Sequence, residues 1–447
     1  MRTARRTVRT LLATAVAGAV VATLAPATPA AAVSVTVDKR FFGLHDTDAS
    51  SWPALSVGSI RLWDAGVSWR DIETSPGVYD FSRLDAQVAR ANAAGAEVTL
   101  VLGMTPDFYA STGNGTEAGK TSNPTDLTAW TNYVHAVVAR YGATASSPRR
   151  IAAYQVWNEA NVTGYWTGTP QQMAHLTALT YAAVKAVDKG ALVVSPAFAS
   201  RIGEQIKGIT RFAFAWSDGK PAWRWTDVIS LNLYPLDKYG TTVGTPEKSM
   251  ELLKKARTIL GFGGLPSTFP IWNTEINYGM PTGSAGGTGA LAISSQRQAS
   301  YVLRTLLLNA ANKVRRVDWY AYDLQYLANG RTLGNTRLVD PADTTNGQVT
   351  LAGKAFNLAQ AWLLGGRLKG TSRTAKPCAT DSAGTYTCVI SYTGGVRRVY
   401  WNPTKKVTVK TARSATFKVG IYGARTKIKG GSTLKVDYRP VMVRSTK

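Results

Sequence analysis

The sequence predicts an α/β fold: a (β/α)8 TIM barrel followed by a small C-terminal antiparallel β-sandwich. Three observations carry this. Between residues 41 and 364, apolar strand-like runs alternate eight times with helix-period stretches. Polar side chains gather at the ends of many of these runs rather than at one switch point, and no GxGxxG follows the first run, which favours a closed barrel over a doubly wound open sheet. From Arg367 onward the texture changes to short alternating runs separated by Gly-Gly and Asn-Pro turns.

Residues 33–37 alternate and read as a short strand outside the main fold. The first barrel strand, 40–46, ends in His45 and Asp46. The second is Ser59-Ile60-Arg61-Leu62-Trp63-Asp64. A turn at Ser75-Pro76-Gly77 and a helix over 82–93, stopped by Gly95, lead to a third strand at 97–103. That strand is almost wholly apolar, as buried parallel strands are. Pro124-Thr125-Asp126 caps a long helix in which Trp130, Tyr133, Val134, Val137, Val138 and Tyr141 recur at helical spacing. The fourth strand is Tyr154-Gln155-Val156-Trp157-Asn158-Glu159. A helix over 170–188 leads to a fifth strand at 192–196, and one over 206–216 to a sixth at 227–234. Thr245-Pro246-Glu247 opens a helix that ends by Gly261. The seventh strand is Ile271-Trp272-Asn273-Thr274-Glu275-Ile276. A glycine-rich loop at 279–289 precedes a helix over 294–312. The eighth strand, 317–322, and a helix over 353–364 close the series.

Hydrophobic content of 45% in 447 residues supports a packed core and excludes wholesale disorder. Aromatic residues suit both core packing and stacking on sugar rings; Trp52, Trp69, Trp166 and Trp272 are open to either reading. Arg2, Arg5, Arg6 and Arg9 precede a short apolar stretch at 11–24 and the small residues Ala30-Ala31-Ala32, the pattern of a cleaved secretory signal. The apolar stretch is short for a membrane span, and no later stretch qualifies as a transmembrane segment. Arg5-Arg6 leaves the general and twin-arginine export routes both open. The expected organisation is a signal peptide at 1–32, a catalytic barrel at 33–366 and a basic sandwich at 367–447, in a secreted protein.

Formal net charge is +25. Residues 367–447 hold 18 Lys and Arg against Asp381 and Asp437, a net of +16, whereas residues 33–366 hold only +5. This asymmetry points to an anionic surface as partner of the sandwich, such as an acidic polysaccharide, a cell-wall polymer or lipid headgroups, beside the plainer reading of a solubilising surface. Nucleic acid is not an expected partner, for no binding motif is present. Cys378 and Cys388 flank a turn-like stretch at 381–384, and in an exported chain they read as a disulfide across a hairpin. Three histidines without an HExxH or HxH pattern give no basis for a metal, and no cofactor is expected. Ser195-Pro196 lacks the surroundings of a nucleophile elbow.

Glu159 ends the fourth strand and Glu275 lies near the end of the seventh. Across a barrel mouth, two such carboxyls suit glycosidic bond cleavage: one donates a proton to the leaving oxygen, and the other attacks the anomeric carbon. Different environments split their pKa values.

Trp157-Asn158-Glu159-Ala160-Asn161, with Glu275 on a later strand, resembles the retaining glycoside hydrolases of clan A. Ile60-Arg61-Leu62-Trp63, the segment 70–81 and Ala139-Arg140-Tyr141-Gly142 support the resemblance, which covers residues 41–364. Within the clan the chain is most similar to the β-xylosidase/α-L-iduronidase-like family, whose members also pair the barrel with a β-sandwich. The resemblance implies Glu159 as acid/base and Glu275 as nucleophile. It implies that Asn158 bonds the sugar 2-hydroxyl, Tyr234 orients the nucleophile, Arg61 keeps it ionised, and Trp319 floors the sugar subsite. His45 and Asp46 are candidate sugar contacts. Two positions depart from the pattern: Asn232 stands where many relatives have His, and the third strand ends at Gly103 without a polar ligand. Both bear on the sugar bound. The expected function is retaining hydrolysis of β-type bonds in a poly- or oligosaccharide. The alternative is a non-catalytic carbohydrate-binding or surface-anchoring protein on a barrel scaffold.

Overall fold

The structure is a computed structural model that describes residues 34–45, 55–112, 119–146, 148–201, 203–235, 244–278, 293–322, 337–340, 348–372 and 375–446. The expected signal segment, Asp46, Trp52 and the loop 279–289 lie outside the described residues.

Eight parallel strands close into a barrel in sequence order: β1 (Phe42–His45), β2 (Ser59–Leu62), β3 (Glu97–Val101), β4 (Ala153–Gln155), β5 (Leu192–Ala199), β6 (Val228–Asn232), β7 (Ile271–Ile276) and β8 (Arg316–Trp319), with β8 back beside β1. Around it lie α1 (Ser82–Ala93), α2 (Leu127–Tyr141), α3 (Pro170–Val187), α4 (Gly203–Ala213), α5 (Pro246–Phe262), α6 (Ser295–Ala311) and α7 (Leu351–Leu363). Their starts are set by side-chain caps, which satisfy N–H groups the helix itself leaves open. Asp126 accepts from the N–H groups of Thr128 and Ala129, Thr169 forms a capping box with Gln172, and Thr245, Ser294 and Thr350 cap α5, α6 and α7. The apolar positions of α2 named from the sequence are all buried.

Several boundaries differ from the sequence reading: the fourth strand ends at Gln155 and the eighth at Trp319, short of the expected residues 159 and 322. The helix expected over 206–216 ends at Ala213, because Trp216–Ser217 pairs with Lys220–Pro221 in a hairpin turning on Asp218-Gly219. Both turn residues have positive φ, +49° and +72°, as Asp-Gly turns require. β5 runs three residues further than expected, to Ala199.

The second layer is the β-sandwich. β9 (Arg367–Lys369), β10 (Tyr386–Tyr392), β11 (Gly395–Trp401), β13 (Ala415–Val419) and β15 (Val441–Ser445) share one antiparallel sheet, and β12 (Val407–Lys410) pairs with β14 (Thr433–Val436) in a separate ribbon. Ser34–Val35 joins the same sheet, against Leu368 and Lys369. Residues 32–447 thus form one compact unit. Glu247 at the start of α5 joins its parts: it takes the Trp401 indole N–H of β11 at 3.0 Å and an ion pair from the buried Arg304 of α6. Cys378 and Cys388 are bonded, beside the pairing of Ala379–Thr380 with β10. Among the described residues no helix is long and apolar enough to cross a membrane.

Candidate active site

Strand alternation sends one side chain in two into the barrel. Those inward positions are unusually polar: Arg61 of β2, Gln155 of β4, Ser230 and Asn232 of β6 and Thr274 of β7 are all fully buried. Burying such groups is tolerable only when they are hydrogen-bonded. Arg61 illustrates this. It donates to Gln155 Oε1 at 2.7 Å, Asn158 Oδ1 at 2.8 Å, His45 Nε2 at 2.8 Å and Glu275 Oε1 at 2.7 Å.

Glu275 reaches this arginine through a bulge. Leu231 faces Asn273 and Asn232 faces Glu275, so β7 carries one residue more than β6, and the register with β8 slips at the same place. A bulge re-aims a side chain. Here both Thr274 and Glu275 turn inward. The other carboxylate oxygen of Glu275 accepts from Tyr234 OH at 3.0 Å.

Glu159 arrives differently. Past β4 the chain stays paired to β5 through Val156 N–H to Val194 and Ala160 N–H to Ala197. Glu159 itself takes φ +39°, a left-handed conformation that costs a non-glycine residue roughly 1 kcal/mol. Asn161 holds the turn, accepting from Ala199 N–H at 2.9 Å and donating to the carbonyls of Ala199 and Gln205 at 2.7 and 2.8 Å. Strain retained this way clusters at functional sites. Gly103 serves the same segment. A Cβ there would stand 2.5 Å from the Trp157 ring, so the departure from the family pattern at Gly103 makes room for Trp157.

The two glutamates sit in different environments. Glu159 is buried, and burial together with the negative charge of Glu275 pushes its carboxyl up to about 7. Arg201, the Asn232 amide and Arg61 oppose that rise. Glu275 is ion-paired to the fully buried Arg61. Burial and the Arg61 charge hold the His45 imidazole well below its usual range, and as a neutral ring it accepts from Arg61.

Glu159, Glu275, Asn158, Tyr234, Arg61, His45 and Asn232 are thus brought together. His45 and Asn232 are fully buried beneath the mouth, where they serve Arg61 and Glu159. Trp319 is placed elsewhere. It is fully buried with its ring 6.0 Å from that of Tyr278, which packs on α6. The inward neighbour is Tyr320, whose ring lies edge-on to His45 at 4.9 Å and whose hydroxyl donates to Asp64 at 3.1 Å. Trp69 stacks on Tyr109 and Tyr133, Trp166 packs on Trp157, and Trp272 lies under Arg316. These three are packing residues.

Sequence reasoning passed over Arg201, Tyr320 and Asp64 as site residues. The Arg201 guanidinium stands 4.0 Å over the Tyr234 ring, its charge felt at Glu159. It lies beyond the end assigned to the fifth strand, so it carried no strand-end signal. Asp64 is pushed up to about 6, by burial and by the charge of Glu275.

Fold and side chains together define a (β/α)8 barrel with two buried glutamates at its carboxyl mouth, one held by Arg61 and Tyr234 and the other by Asn232. No protein-family model and no curated protein matches the sequence. Solved structures do match. A family 39 glycoside hydrolase from Bacteroides cellulosilyticus aligns over 88% of this chain and 76% of its own, with a TM-score of 0.62 at 15% identity. An α-L-arabinofuranosidase from Thermotoga maritima aligns over 94% and 98%, with a TM-score of 0.60 at 13% identity. A family 30 endoxylanase from Clostridium papyrosolvens aligns over 93% and 98%, with a TM-score of 0.57 at 14% identity. These are likenesses of fold.

Proposed function

We propose that this protein is an exported retaining glycoside hydrolase that cleaves β-type bonds in a poly- or oligosaccharide by double displacement. The observation that carries the reading is the division of labour between the two glutamates. Glu159, raised to about 7 by burial and by Glu275, is protonated in mildly acidic solution and serves as the general acid. Glu275, ion-paired to Arg61 and bonded by Tyr234, serves as the nucleophile.

In the first step Glu275 attacks the anomeric carbon while Glu159 protonates the departing oxygen. The covalent ester removes the negative charge of Glu275. One of the two causes that hold Glu159 protonated then disappears, and Glu159 becomes a better base for the water that releases the sugar. Asn158, oriented by Arg61 at 2.8 Å, is the partner for the sugar 2-hydroxyl. Similarity in fold to structures described as a family 39 hydrolase, an arabinofuranosidase and an endoxylanase supports the reaction class. The test is proton NMR of the first-formed sugar during hydrolysis of a panel of aryl glycosides. The reading requires a product of the substrate's own anomeric configuration. An inverted product, or hydrolysis of none of the panel by the full-length protein, overturns it.

A further inference from the structure

The charge of the sandwich has a shaped counterpart. A cleft of about 530 Å³ opens between the β12–β14 ribbon and the segments that follow β13 and begin β15. Its walls include Lys406, Lys435, Arg439, Asp437 and Tyr422. Asp437 is taken by Arg439, which binds it through Nε at 3.0 Å and Nη2 at 2.5 Å. Lys406 and Lys435 are exposed, so the cleft presents two ammonium groups beside an acid already neutralised.

Tyr422 is the second feature. It is 58% exposed, and its hydroxyl accepts from Gln296 of α6 at 2.6 Å. The bond fixes the ring while leaving it open to solvent. Among the described residues of the sandwich, it is the one strongly exposed large hydrophobic side chain. A lipid surface calls for several apolar side chains or an amphipathic helix. A cleft with one presented ring and two ammonium groups suits a chain of rings that carries negative charge.

We infer that this cleft binds a segment of an acidic polysaccharide, with one sugar face on Tyr422 and its carboxylates at Lys406 and Lys435. The choice of a sugar polymer as ligand rests on the proposed glycosidase reading; the cleft itself does not. Bound there, the polymer would hold the enzyme on an anionic matrix.

The test is binding of polygalacturonate to the full-length protein by isothermal titration, with hydrolysis of an aryl glycoside measured on the same samples. Lys406→Ala with Lys435→Ala is expected to weaken binding by about tenfold, and Tyr422→Ala by about fivefold. Lys427→Ala with Lys429→Ala, the same charge removed from exposed positions outside the cleft, is expected to stay within about twofold of wild type. Hydrolysis is expected to be unchanged in all these variants. Equal loss in the two lysine pairs overturns the inference, since charge would then act diffusely. So does an unaltered affinity in Tyr422→Ala, or tighter binding of a thymidine oligonucleotide or phosphatidylserine vesicles through the same residues. The expected binding pattern without glycoside hydrolysis leaves the cleft standing and removes the glycosidase reading.

Discussion

Asn232 donates from Nδ2 to Glu159 Oε1 at 3.1 Å, while its own Oδ1 accepts from Thr274, the residue before Glu275. The arrangement continues backwards. Gln155 donates to Ser230 Oγ at 2.7 Å, Ser230 lies 2.5 Å from Thr274 Oγ1, and Gln155 Oε1 accepts from Arg61, which binds Glu275. Donation therefore runs one way from Arg61 through Gln155, Ser230, Thr274 and Asn232 to Glu159, while Arg61 also donates to Glu275 and so links the two glutamates. It aims the Asn232 amide so that N–H, not oxygen, meets Glu159. A hydrogen bond to the ionised carboxylate favours it.

From this follows a pH prediction. In the proposed reaction Glu159 is the general acid and must be protonated, so kcat/KM should fall on a basic limb near pH 7, where its carboxyl is placed by burial and by Glu275. Asn232→Ala removes a donor that lowers the Glu159 pKa, so its limb should move to higher pH. A limb that stays in place or moves down would break the link.

Arg201 acts in the same sense through charge. Its guanidinium lowers the Glu159 pKa, so Arg201→Gln should also shift the basic limb upward. Arg201→Lys keeps a positive charge there and should shift it less. Comparison of the three pH profiles checks this, and equal shifts in both variants would assign the effect to lost stacking on Tyr234.

Burial of Glu159 also bears on stability. A carboxyl whose folded pKa stands near 7, above its ordinary 4.5, contributes stability that is fully present below pH 4.5 and is lost as pH rises through 7. Glu159→Gln escapes that loss. At pH 8 the variant should be more stable than wild type, by on the order of 2–3 kcal/mol. At pH 4 the difference should vanish. Urea unfolding at both pH values measures it.

Removing one partner of the buried Arg61–Glu275 pair leaves an uncompensated charge. Arg61→Met should destabilise the protein by about 3–5 kcal/mol. Adding Glu275→Leu should recover part of that, a non-additivity that a double-mutant cycle reads directly.

Gly103→Ala places a methyl group against the Trp157 ring, at 2.5 Å before relaxation. A loss of about 1–3 kcal/mol is expected. Because Trp157 adjoins Asn158 and Glu159, kcat should fall with little change in the fold, as circular dichroism would show.

Much of this was legible in the chain. Caps at Asp126 and Thr245 announced helix starts, because a short polar side chain before an apolar period has one local use. Glu159 and Glu275 stood out as carboxyls closing apolar runs. What escaped was set by pairing between distant strands. Trp319 and Tyr320 are adjacent aromatics, and only the register of Asp318 against Gly43 decides which one faces inward. The bulge at Thr274 exists only relative to β6 and β8. Ser34–Val35 finds its partner in β9, far away in the sequence. His45 and Asn232 read as sugar contacts because polarity at a strand end is visible, whereas their bonds to Arg61 and Glu159 depend on which strands meet across the barrel.

In the proposed double displacement Glu275 carries the sugar between the two steps. Incubation with a panel of activated 2-deoxy-2-fluoro glycosides, followed by peptide mass spectrometry, tests it most directly. A single glycosyl adduct on Glu275, absent from Glu275→Gln, is expected. An adduct on another carboxylate, or time-dependent inactivation that persists in Glu275→Gln, would contradict it.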